Sequence, residues 1–168
     1  MAEFVLVGGP AVGKTTVGAL LARRLGVDFF DADEQIELRA GKPISQIFAE
    51  QGEPSFRALE YEVIQELLDQ AGVLSLGGGA VLYEDLCNDL RAPQYRVIWL
   101  RCAAAGATRR VGDSTHRPLL AGQDVEHRVT QLHASRAPLY AQVADFSVDT
   151  DDLEPAQVVE VILTEVAK

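Results

Sequence analysis

Cysteine is scarce in this sequence, with Cys87 and Cys102 the only two in 168 residues. A disulfide framework or a cysteine-rich metal site needs more thiols at short, regular spacings, so both are expected to be small packing residues without a chemical role. Long hydrophobic runs are missing too. The longest apolar stretches, around 4–7 and 96–100, fall far short of the roughly 20 residues that span a bilayer as a helix. Positive charge is in deficit, 15 Lys and Arg against 25 Asp and Glu, for a formal net charge of −10 and a pI near 4.7. An acidic surface repels nucleic acid and anionic membranes, so neither is an expected partner. The opening Met-Ala-Glu-Phe has neither the basic region nor the small-residue cleavage site of a leader peptide. The expectation is a cytoplasmic protein, working as a monomer, that catches anions locally with a few arginines.

What is present suits one globular domain over 1–168, since 48% apolar and 24% charged residues can supply a single core. The apolar run 4–7 ends in Gly8-Gly9-Pro10, which predicts a buried strand and a turn. A helix follows over 14–25, with Val17, Leu20, Leu21 and Leu25 on one face and Gly26 as its stop. A second strand is predicted at 27–30, then a helix ending near Gly41. The stretch 44–70 has a helical pattern interrupted around Gly52-Glu53-Pro54. Further strands are expected at 73–76, 95–100 and 146–148, with helices at 125–140 and from Pro155 onward. Residues 112–122 are polar and contain Gly, Pro and Asp, the composition of a mobile lid. Strands alternating with helices predict an α/β fold: three layers, α/β/α, around a central, mostly five-stranded parallel sheet. Ligands should gather at the carboxyl ends of its strands.

Residues 8–15, Gly-Gly-Pro-Ala-Val-Gly-Lys-Thr, fit the pattern G-x-x-x-x-G-K-[ST] and stand between a strand and a helix. Such a P-loop turns its backbone N–H groups inward on phosphates, and the positive end of the next helix adds to the attraction. ATP is the expected nucleotide, held by Ala11, Val12, Gly13, Lys14, Thr15 and Thr16. Lys14 reaches the β- and γ-phosphates, and Thr15 offers a hydroxyl to Mg²⁺. No Asn-Lys-x-Asp guanine-reading sequence occurs, which argues against a GTPase. Asp31 and Asp33, at the end of the second strand, project to one side if the extended geometry continues. Asp31 then suits the metal, and Asp33 suits an acceptor hydroxyl whose proton it takes. The alternative is that one or both cap the helix that begins there. Arg57 and Glu60 lie three apart on a helix, so the glutamate can fix the guanidinium for bidentate capture of a carboxylate; an ordinary solvated ion pair is the plainer reading.

Six blocks in this order, 8–16, 31–33, 56–60, 76–80, 117–120 and 136–140, make the sequence resemble the shikimate kinases over almost its whole length. The resemblance implies a P-loop kinase fold with a helical substrate-binding insert at about 31–60 and a lid at about 112–122. It implies ATP-dependent phosphorylation of the 3-hydroxyl of shikimate. Asp33, Arg57, Gly77, Gly78, Gly79 and Arg136 would bind shikimate, with Glu60 supporting Arg57 and Asp33 acting on the hydroxyl. Arg117 would reach the ATP phosphates from the lid, and Arg110 is a candidate for stacking on the adenine. Two positions depart from the family pattern: Ala11 stands where similar proteins carry a further glycine, and Leu153 where some carry an arginine. Two other functions share the P-loop. One is a different small-metabolite kinase, such as a gluconate or nucleoside monophosphate kinase, although the Asp-Gly-[FY]-Pro-Arg block of the latter is missing. The other is a nucleotide-binding regulator without acceptor-dependent turnover.

Overall fold

A computed structural model describes residues 2–103 and 125–168. The expected lid at 112–122, with Arg110 and Arg117, lies outside the described residues. The strands are β1 (Ala2–Val7), β2 (Phe29–Asp31), β3 (Gly72–Ser75), β4 (Arg96–Arg101) and β5 (Phe146–Asp149). They form one five-stranded sheet in the order β2-β3-β1-β4-β5, with every pairing parallel. The helices are α1 (Lys14–Leu25), α2 (Ala32–Ala40), α3 (Ile44–Leu68), α4 (Glu84–Leu90), α5 (Val125–Val143) and α6 (Pro155–Val166).

Strand β1 is central, so both of its faces are covered. Alternation sends Val5 and Val7 into a core beneath α2, α3 and α4, and Phe4 and Leu6 into a second core beneath α1 and α6. Helix α5 belongs to both. Its Val129 and Leu132 pack in the second core, while Tyr140 and Val143 pack in the first. It therefore runs past the end of the sheet from one layer to the other.

The structure shifts the second strand to Phe29–Asp31, which makes Asp31 its last residue. It divides α3 at Gly52, whose φ of 79° and ψ of 169° are not helical, at the interruption expected from Gly52-Glu53-Pro54. A short 3-10 turn at Ala80–Leu82 and helix α4 were not foreseen. Helix α4 has seven residues and no side-chain cap, so only Leu86, Cys87 and Leu90, all buried, mark it. Neither cysteine is in a disulfide, and both are buried. Among the described residues no helix is long and apolar enough to cross a membrane.

Candidate active site

The turn after β1 leads into α1 through Gly13, the helix N-cap, at φ 96°. Within it Ala11 takes φ 59°, a left-handed conformation that costs an L-residue about 1–2 kcal/mol. Lys14 Nζ donates to the carbonyls of Gly8 and Gly9, each at 2.9 Å, and so bridges the mouth of the loop. Thr15 Oγ1 donates to Asp31 Oδ2 at 2.6 Å. The other Asp31 oxygen, Oδ1, accepts the backbone N–H of Asp33 at 3.0 Å, which makes Asp31 the N-cap of α2.

That arrangement corrects one expectation. The extended geometry does not continue to Asp33, because the strand stops at Asp31 and α2 starts at Ala32. Both carboxylates nevertheless line one cleft, brought there by the strand-to-helix corner. Asp31 is the capping residue, and Asp33 occupies the first helical turn, where negative charge favours the helix.

Across the cleft, the second half of α3 carries a charged network. Arg57 Nη1 donates to Glu60 Oε2 at 2.6 Å, and its other nitrogens reach Glu53 Oε1 at 3.3 Å. The Glu60 side chain is only 1% exposed. Burial pushes the Glu60 carboxyl above the usual range, more than the Arg57 charge pulls it down. Burial also lowers Arg57, but the carboxylates of Glu60 and Glu53 together outweigh it and leave the guanidinium raised. The two partners differ because Arg57 has two carboxylates and Glu60 lies deeper. Helix α5 brings Arg136, 7% exposed, to the glycines that follow β3. Its Nη1 is 3.4 Å from where a Cβ on Gly78 would stand. Tyr140, one turn further on, donates its hydroxyl to the Gly78 carbonyl at 2.6 Å. Burial pushes that phenol up to about 12, with nearby Arg136 opposing.

Gly79 leaves room for the guanidinium where it stands, because a Cβ there would come within 2.4 Å of Arg57 Nη1 and displace it. A Cβ on Gly77 would meet Asp33 Oδ1 and Glu60 Oε1, each at 2.8 Å. The glycine run thus lets Asp33, Glu60, Arg57 and Arg136 close around one wall of backbone. Every expected site residue within the described range lines a single cleft of about 750 Å³, from Ala11, Val12, Gly13, Lys14, Thr15 and Thr16 at one end to Arg57, Glu60 and Arg136 at the other. Phe48 and Phe56 line it as well, their ring centroids 4.6 Å apart. Residues that sequence reasoning missed are Tyr140, His133 and Thr150. Thr150 donates to the Arg101 carbonyl at 3.0 Å and lies 3.5 Å from that of Val12. His133 and Thr150 belong to no local pattern that could have revealed them, and Tyr140, although it closes the 136–140 block, was given no role there.

The arrangement can cradle phosphates at the backbone end and hold an anionic acceptor at the guanidinium end, with a carboxylate between. Comparison with known proteins agrees. The shikimate kinase family model matches residues 10–167. The shikimate kinase of Thermobifida fusca (strain YX) is 48% identical over 162 residues, 96% of this chain and 92% of its own length. The structure of a shikimate kinase from Acinetobacter baumannii in complex with shikimate superposes with a TM-score of 0.93 at 32% identity, covering 99% of this chain and 94% of that one. A gluconokinase from Sinorhizobium meliloti 1021 shares only the fold, with a TM-score of 0.61 at 20% identity, covering 99% and 91%. With the family model spanning nearly all of it and such relatives matching from end to end, this chain belongs to the shikimate kinase family.

Proposed function

We infer that the chain transfers the γ-phosphoryl group of ATP to the 3-hydroxyl of shikimate, a step of aromatic amino-acid biosynthesis. One observation carries the reading beyond family membership: Arg57 and Arg136, from different helices, converge on the glycine wall of the cleft that also contains Lys14. Two planar guanidinium groups suit a substrate carboxylate, which each can hold with paired, directional hydrogen bonds. Glu60 fixes Arg57 in place, and the backbone of Gly77, Gly78 and Gly79 lies against the ring of the acceptor.

With the carboxylate held there, Asp33 receives the proton of the attacking hydroxyl as the oxygen–phosphorus bond forms and the bond to ADP breaks. Ala11, Val12, Gly13, Thr15 and Thr16 wrap the nucleotide phosphates with Lys14, whose charge balances the phosphoryl group in flight. The loop also fits Mg²⁺, since Thr15 and Asp31 present two hard oxygens in direct contact. Those two residues would hold the ion, which when bound supplies neutralisation of phosphate charge. Arg117 is assigned to the lid and the ATP phosphates, and Arg110 to the adenine. The protein is proposed to act as a cytoplasmic monomer, its acidic surface avoiding nucleic acid and membranes.

Coupled measurement of ADP release tests the reading, with shikimate, gluconate, AMP or no acceptor supplied in parallel. Shikimate alone should stimulate turnover; stimulation by gluconate or AMP instead would overturn the substrate, and ATP turnover indifferent to all three would overturn the kinase reading. Arg136→Ala should raise KM for shikimate about 10- to 100-fold, the value of a charged hydrogen bond, with little change for ATP. Equal effects on both substrates would remove Arg136 from the carboxylate site.

A further inference from the structure

Helix α5 carries His133 three residues before Arg136, about one turn nearer the phosphate loop. Both ring nitrogens face backbone carbonyls: Nε2 lies 3.1 Å from Pro10 O, and Nδ1 lies 3.2 Å from Cys102 O at the end of β4. The ring also rests on the loop itself, since a Cβ on Gly9 would fall 2.5 Å from Nε2 and 2.6 Å from Cδ2. The carbonyl that His133 meets belongs to the peptide joining Pro10 to Ala11, the one non-glycine residue with positive φ among the described residues.

A phosphate nest works only if its N–H groups point inward and its carbonyl oxygens point out. In a trans peptide the C=O and the following N–H are opposed, so anchoring the Pro10 oxygen on α5 turns the Ala11 N–H away from α5. Ala11 lines the cleft. Both facing groups are acceptors, so a neutral imidazole, with one N–H, donates to only one of them: with its proton on Nε2 it donates to Pro10, and Nδ1 makes no hydrogen bond to the Cys102 carbonyl it faces.

We propose that His133 is a positioning residue of the phosphate loop: its Nε2–H holds the Pro10 carbonyl outward, keeps the strained Ala11 peptide in its nucleotide-binding orientation, and joins the loop to the helix that bears Arg136. This rests on the reading of the loop as the ATP site. It makes sense of an alanine at a left-handed position, because the contact that stabilises the loop lies at the peptide next to it. His133 touches no substrate and acts through the backbone.

The test uses the whole enzyme with His133→Leu, which fills the space without a donor, and His133→Gln, which keeps an N–H, each alone and combined with Ala11→Gly. ADP affinity, KM for ATP, KM for shikimate and thermal stability are measured for each. His133→Leu is expected to weaken ADP binding and raise KM for ATP about 5- to 10-fold, as befits one lost hydrogen bond, with KM for shikimate unchanged. His133→Gln should retain most of the affinity. On the Ala11→Gly background, where the left-handed conformation is free of strain, the leucine penalty should shrink to about twofold. Leu and Gln variants that behave alike would overturn the proposal, as would a loss of stability and of both substrate affinities together, which marks a packing role. Wild-type protein without ADP affinity would instead defeat the nucleotide reading, and this inference with it.

Discussion

At the nucleotide end of the cleft, Lys14 donates to the main-chain carbonyls of Gly8 and Gly9; at the acceptor end, Arg57 pairs with the side-chain carboxylates of Glu53 and Glu60. One end is shaped mainly by backbone and is open, whereas the other is shaped by charges in a poorly solvated wall. The difference matters energetically. A backbone nest survives the loss of one side chain, because its donors are fixed by the turn and the helix behind it. A buried charge network does not, since removing one member leaves its partner without compensation. The nucleotide end should therefore fail in chemistry with the fold intact, and the acceptor end should fail in both.

Asp33, where the two ends meet, should give the largest effect. Asp33→Asn keeps the shape and removes the base, so kcat should fall about 10²- to 10⁴-fold with ADP affinity nearly intact. Unchanged turnover would reduce Asp33 to a favourable charge in the first turn of α2.

The comparison is sharpest between Arg57→Ala and Lys14→Ala. Deleting Arg57 strands the Glu60 carboxylate, so the unfolding free energy should drop by about 3–5 kcal/mol in addition to weaker shikimate binding. Deleting Lys14, which is only half-buried, should cost activity but change stability by less than about 1 kcal/mol. Denaturant titrations of the two variants measure this directly; equal losses of stability would erase the distinction between backbone and charge.

The Glu60 carboxyl offers a pH-dependent form of the same comparison. Its folded value lies above the usual carboxylate range because burial outweighs Arg57, so the folded state binds the proton more tightly than the unfolded state. Its contribution is then fully present below the unfolded value and is lost as pH rises through the folded value. The stability of wild type relative to Glu60→Gln should accordingly decline between about pH 4 and the raised value of Glu60. A difference that grew with pH would mean that the ion pair dominates burial.

Much of this could be read from sequence, for unequal reasons at the two ends. The phosphate loop is contiguous, and a strand, a glycine turn and a helix are local features, so pattern and structure coincide at 8–15. The Arg57–Glu60 pair was legible as helical spacing, but spacing could not decide between a solvated pair and a buried one; the kink at Gly52 and the approach of Gly79 decide that. Asp31 and Asp33 were found for a geometry that the chain does not adopt, because a strand end is uncertain by a residue or two. The roles of Tyr140, which stood in the 136–140 block, and of His133 could not be seen. Each acts on a carbonyl 62 or 123 residues away, and a carbonyl carries no sequence signature.

Two tyrosines at the acceptor end give the finest version of the contrast, since they present the same hydroxyl with opposite outcomes. Tyr140 has its partner in the Gly78 carbonyl. The Tyr83 hydroxyl is the one buried side-chain polar atom without a hydrogen-bond partner among the described residues, and burial, with Glu60 beside it, pushes it up to about 12. Leaving a buried donor unmet costs about 1–3 kcal/mol, whereas a satisfied one contributes about 1 kcal/mol. Tyr83→Phe should thus leave stability unchanged or raise it by about 1 kcal/mol with both KM values unaltered. Tyr140→Phe should lower stability by a similar amount and raise KM for shikimate, because the Gly78 peptide loses its anchor. Thermal melts and initial rates of the two variants settle the sign, and a destabilised Tyr83→Phe would show that its hydroxyl is hydrogen-bonded in solution and belongs to the acceptor network.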